Sequence, residues 1–159
     1  MPTADFRPID VYPGSLHVDA DLHQVTVKVA GADEQTGKMR FEGLNTEEMT
    51  ELWKAGTEEA IFRSSIFKSQ GGKKMDVKVT ILEFHPPLLA STVRTQAVAR
   101  YEIVDVANST VIYSDDVQST GVVSGNFAFE GAVRFRESAN RAAQQNIKDF
   151  IDRLEQHGL

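Results

Sequence analysis

The chain has 159 residues, 41% of them hydrophobic and 25% charged, and a net charge of −6. That length and balance fit one globular domain burying roughly two-thirds of its unfolded surface, and the lack of any Cys excludes disulfides, thiolate catalysis and Cys-type zinc sites. The acidic balance argues against a nucleic-acid partner, whose phosphates need a basic face, and no apolar run approaches the ~18 residues of a membrane span.

Residues 1–20 open with MPTADFRPIDVYPGS, rich in Pro and Asp and poor in periodicity. They read as an extended tail, laid over the domain or frayed, and they carry no apolar signal-peptide core. Two readings stand: a cytosolic protein with a loose start, or an exported protein whose export segment is absent from this sequence. Residues 21–159 read as a single α+β domain.

LHQVTVKVA alternates, with Val25, Val27 and Val29 to one side and Gln24, Thr26 and Lys28 to the other, the period-two pattern of a half-buried strand. GADEQTGKMRFEG is a polar, Gly-punctuated loop. In NTEEMTELWKAGTEEAIFRSSIF, Asn45 and Glu48 have capping-box spacing. Met49, Leu52, Trp53, Gly56, Ala60 and Phe67 recur at helical spacing. Gly56 inside a helix costs ~1 kcal/mol against Ala, so close packing on a sheet is expected there. KSQGGKK reads as the helix stop.

MDVKVTILEF alternates again, with Met75, Val77, Val79 and Ile81 on one face, and HPPLLAS interrupts it. In TQAVARYEIVDV, Ala97, Ala99, Tyr101 and Ile103 share a face while Val98 and Val104 take the other. ANST is a hairpin-sized turn. VIYSDDVQSTGVV is a fourth strand with Val111, Tyr113 and Val117 in phase, and SGNFAFEG is a loop. In the last helix Ala132, Phe135, Ala139, Ala143, Ile147, Phe150 and Leu154 fall on one stripe. Arg134, Glu137, Arg141, Gln144, Lys148 and Asp152 lie largely off it, as a mostly solvated face. The order is therefore β-α-β-β-β-α, with two helices packed on one face of a four-stranded mixed sheet.

Motifs for chemistry are absent. GADEQTGKM has five residues between its glycines and Met after the Lys, where a phosphate loop needs four and Ser or Thr. GVVSGN lacks the spacing of a nucleophile elbow. His17, His23, His85 and His157 are scattered, His85 standing before Pro86-Pro87 on a constrained loop. Asp115 and Asp116 are consecutive on a strand, so they point to opposite faces and cannot chelate together. Arg63, Lys68, Lys73, Lys74 and Lys78 form a basic cluster, read either as helix-end cations or as a rim for a lipid headgroup.

EEAIFRSSIF, DVKVTILEFHPPLLAS, QAVARYEIVDVANSTVIYSDDV and ESANRAAQQNIKDFIDRL together resemble a group of small bacterial envelope lipoproteins. Those have strands reading VTVLEF and ARYRLVD, and a final helix in which Ala139, Ala143, Asn146, Ile147, Phe150 and Leu154 occupy the recurring positions. The architecture is also similar to the lipopolysaccharide-assembly lipoprotein, the amino-terminal domain of TolB and auxiliary lipoproteins of ABC transporters. The resemblance spans roughly residues 20 to 155 and brings no catalytic residue. It implies a periplasmic, lipid-anchored location, although this sequence carries no lipobox Cys; without an upstream export segment the location would be cytoplasmic.

The expected function is a non-enzymatic envelope accessory lipoprotein that binds a protein or glycolipid partner through its sheet face or edge. The uncovered face should carry Gln24, Thr26, Lys28, Asp76, Lys78, Thr80, Arg100 and Glu102, with Lys28, Lys78, Arg100 and Glu102 as the partner-binding residues. No cofactor, metal or nucleic acid is expected, membrane contact is expected only through a lipid anchor, and the chain should be a monomer or dimer. The alternative is a small-ligand carrier with a pocket between sheet and helices, lined by Trp53, Phe62, Phe67, Phe127 and Phe129.

Overall fold

The structure is a computed structural model that describes residues 3–41, 43–68, 72–85, 92–126 and 131–159. Its elements are β1 (Ala20–Val29), α1 (Thr46–Ser64), β2 (Lys73–His85), β3 (Val93–Asp105), β4 (Thr110–Val123) and α2 (Gly131–His157). The strands form one sheet in the order β1-β2-β3-β4. β1 lies parallel to β2 across the α1 crossover, and β2-β3 and β3-β4 are antiparallel. Both helices cover the same face, α1 over β1 and α2 over β3 and β4. The expected α+β order and four-stranded mixed sheet are therefore present.

α1 begins as its sequence dictates. Asn45 Oδ1 accepts from the Glu48 amide at 2.8 Å, and the Asn45 amide donates back to Glu48 Oε1 at 3.3 Å. Such a box satisfies two orphan donors at once. The end of α1 differs from expectation. It stops at Ser64, with Ser65 in the left-handed region (φ 55°), so no glycine ends it. Phe67 is consequently outside the helix and bridges Val18 instead. Gln70 and Gly71 of the expected stop, with Pro86, Pro87, Phe127 and Phe129, lie outside the described residues.

The covered face is the predicted one. Met75, Val77, Val79, Ile81, Ala97, Ala99, Tyr101 and Ile103 are all buried there. α2 approaches β4 closely because small residues meet: a Cβ on Gly121 would stand 2.1 Å from the Ser138 carbonyl oxygen and 2.3 Å from the Ala142 amide nitrogen. The adjoining hydroxyls are paired, Thr95 with Ser138 at 2.6 Å and Ser119 donating to the Ala142 carbonyl at 2.8 Å. Two members of the predicted stripe depart from it, Ala132 being exposed and Phe135 half-buried near the start of α2.

A buried polar chain runs through this core. Trp53 Nε1 donates to the Tyr101 hydroxyl at 3.1 Å, and that hydroxyl donates to Asn146 Oδ1 at 2.8 Å. Asn146 Nδ2 donates to the Val117 carbonyl at 2.9 Å. One side chain on α2 thus ties α1, β3 and β4 together, and no polar atom along the chain is left without a partner, which is the condition for burying it cheaply. Burial raises the Tyr101 phenol far above its ordinary value, so it remains a donor. Phe150 stacks on the same ring at 4.2 Å with the planes 6° apart, an arrangement worth about 0.5–1.5 kcal/mol beyond its buried area.

The segment before β1 enters the core as well. Phe6 is fully buried, edge-on to Trp53 at 5.8 Å and beside Phe84 at 6.3 Å. Gly56 serves this segment and not the sheet, as a Cβ there would lie 2.5 Å from the Phe6 carbonyl oxygen and 2.8 Å from Ile147 Cδ1.

Candidate functional site

The face that no helix covers is built by strand register. Thr26 pairs with Lys78 and Lys28 with Thr80 across β1-β2. Lys78 pairs with Glu102 and Thr80 with Arg100 across β2-β3, and Arg100 pairs with Asp116 across β3-β4. Lys28, Lys78, Arg100 and Glu102 therefore share one face across three adjacent strands. Thr80 stands among them but is buried.

Their electrostatic states differ. Arg100 is committed: its Nε and a terminal nitrogen donate to the two Asp116 carboxylate oxygens at 2.8 and 3.1 Å, and this pairing raises its pKa. The Asp76 carboxylate oxygen accepts from His23 Nδ1 at 2.8 Å. His23 occupies an irregularity between Leu22 and Gln24, which turns it toward Asp76. Lys28 and Lys78 are exposed and make neither ion pair nor hydrogen bond among the described residues.

An apolar patch completes the face, and its origin is a β-bulge. Ile103 pairs with Tyr113 but Val104 pairs with Val111, so Ile112 is the extra residue. The bulge reverses the phase of the strand. Val111, expected beside Tyr113 and Val117, points instead to the open face next to Val104. Val111 is 48% exposed and Val106 37%. Together with Lys28, Asp76, Lys78 and Glu102 they line an open hollow of about 720 Å³. A surface with two lysines and two carboxylates beside valines suits a ligand or partner with both charged and apolar parts.

The other residues singled out from the sequence are dispersed into structural pairings. Asp115 lies on the helix side, where Arg153 donates to it at 2.6 and 2.8 Å, and Asp116 lies on the open side. Tyr113, mainly through burial and also beside Asp115, has its phenol pushed up to about 12. His85 closes β2 and contacts Glu83 at 3.0 Å, His17 contacts the Ser65 carbonyl at 3.0 Å, and His157 packs edge-on to Tyr113. Arg63 pairs with Glu59 and Lys73 faces Asp105 at 3.6 Å, which leaves the expected basic rim partly neutralised. Among the described residues no three His, Asp or Glu side chains are placed to hold a metal ion.

Among the described residues, large side chains occupy the space between sheet and helices. Trp53, Tyr101, Phe6, Phe84 and Phe150 are fully buried there. Phe62, a candidate lining residue for an internal pocket, is 79% exposed on the outer side of α1, where it borders a shallow hollow with Leu22, Ile61 and Phe67. Among the described residues no helix is long and apolar enough to cross a membrane.

No protein-family model matches the chain, and no curated protein matches it by sequence. Solved structures do share its fold. It is similar to a Xanthomonas campestris protein of family DUF330, with a TM-score of 0.63 and 11% identity over 94% of this chain and 90% of that one. It is also similar to a candidate lipoprotein from Caulobacter crescentus, with a TM-score of 0.54 and 11% identity over 83% and 88% of the two chains. A dodecameric PelC variant from Paraburkholderia phytofirmans gives a TM-score of 0.55 and 11% identity over 91% and 93%. At such identity the likeness is one of fold.

Proposed function

We propose that this protein is a non-enzymatic accessory lipoprotein of the bacterial cell envelope that binds a protein or glycolipid partner through the open face of its sheet. The observation that carries the reading is the pair of uncommitted lysines, Lys28 and Lys78, beside the exposed Val106 and Val111 on a face no helix covers. A partner with charged and apolar groups would cover Val106 and Val111 and engage both lysines. Arg100, locked by Asp116, and Glu102 opposite Lys78 would orient the partner. The fold shared with a candidate lipoprotein supports the envelope assignment.

A photo-crosslinking amino acid in place of Lys78, in the full-length gene product in its native cells, tests the reading. The expected result is one dominant membrane-fraction adduct, absent when the crosslinker replaces exposed Glu51 on α1. The mass added in the adduct separates a protein partner from a glycolipid. Equal adduct formation at both positions, or none at Lys78, removes the proposal.

A further inference from the structure

Residues 3–11 lie between α1 and α2 much as a bound peptide lies in a groove. Their backbone is read by side chains of α2. The Asp5 amide donates to Asn140 Oδ1 at 3.0 Å, Asn140 Nδ2 donates to the Thr3 carbonyl at 3.0 Å, and Gln144 Nε2 donates to the Asp5 carbonyl at 2.7 Å. Phe6 is the largest apolar anchor, buried against Trp53 and Phe84, and Pro8 and Val11 of the same segment are buried as well. Gly56 completes the recess, because any side chain there would meet the Phe6 carbonyl at 2.5 Å. Behind the anchored segment, Tyr12, Pro13, Gly14 and Ser15 are all exposed. The chain is tied down again at Leu16, whose amide donates to Glu155 Oε2 at 3.1 Å.

An aromatic anchor, flanking backbone hydrogen bonds and an exposed hinge are the parts of an exchangeable element. We propose that this groove is a docking surface for residues 3–11 of a second copy of the chain, so that two molecules pair by exchanging the segment. The occupant is already seated, in cis. In trans the same atoms make the same contacts, and only hinge conformation and association entropy differ. Mutual exchange closes on a two-fold axis and yields a dimer. Within one molecule the segment competes at an effective concentration on the order of mM. The dimer is therefore a minor species in dilute solution and accumulates when concentrated molecules open together. The inference is independent of the open sheet face, which lies on the far side of the sheet from both helices.

The test uses the full chain, concentrated to about 1 mM to match that effective concentration, warmed to just below its unfolding midpoint, cooled and diluted. Sedimentation is expected to show a dimer that persists after dilution and is dispersed by annealing with excess synthetic peptide of residues 3–12. The same peptide, labelled, is expected to be retained by the protein, and its Phe6→Ala version to bind at least ~100-fold more weakly. Changing the peptide leaves the protein's own folding untouched. No dimer after annealing, a dimer that the peptide does not disperse, or equal binding of the Phe6→Ala peptide each overturns the proposal. Peptide uptake without any dimer also overturns it, and assigns the groove to a foreign extended segment.

Discussion

The two faces of the sheet are built from alternate residues of the same strands, yet they meet opposite demands. On the helix side every strand residue from Met75 to Ile81 in the odd register is buried, and the polar atoms of Trp53, Tyr101 and Asn146 satisfy one another. On the other side Lys28 and Lys78 have no ion pair or hydrogen bond among the described residues and stand beside exposed valines. Stability resides on the covered face. The covered face specifies one fold through packing and a closed polar chain, and the open face can change its chemistry with little effect on folding.

Mutations can break that contrast. Phe150→Ala removes the ring held between Tyr101 and Tyr113, and urea unfolding should report a loss of about 3–5 kcal/mol. Next in size, Asn146→Ala strips the acceptor from Tyr101 and the donor from Val117. A loss of about 1–3 kcal/mol is expected; a value near zero would mean that the buried chain is ornamental. Asn45→Ala deletes the cap of α1 and should lower the midpoint by the equivalent of about 1 kcal/mol. Replacing Lys28 and Lys78 together by Ala should leave stability within about 0.5 kcal/mol while abolishing any photo-crosslink from a neighbouring open-face position. If that double variant instead unfolds the protein, the two faces do not divide their roles as described.

Legibility in the sequence follows the same division. Period-two runs and the capping box located every strand and the start of α1, because a single buried face imposes a regular alternation. Lys28, Lys78, Arg100 and Glu102 were legible as one face for that reason. Val111 was not, because a bulge at Ile112 depends on how β4 meets β3 and leaves no mark in the alternation itself. Phe67 fits the helical spacing but falls outside α1 because Ser65 adopts a left-handed conformation more usual for glycine. The role of Phe6 was hidden as well, since a lone aromatic in a Pro-rich stretch has no periodicity, and its pocket is assembled by Gly56, Trp53 and Phe84 from two distant elements. Of the α2 residues that the stripe pattern assigns to a solvated face, Gln144 holds the first segment; Asn140, which that pattern leaves unassigned, holds it too, and Asn146 lies at the centre of the core.

The mixed pairing of the sheet carries a further consequence, for the order in which the molecule opens. β3 and β4 are joined by the short turn at residues 106–109 and re-form locally, whereas β1 reaches β2 only after the entire α1 crossover has been placed. Closing so long a loop is slow and entropically costly. β1, irregular at His23, is thus expected to detach first under stress, and the β3-β4 hairpin, gripped by α2, to persist longest, with amide hydrogen exchange fastest along β1 as the check.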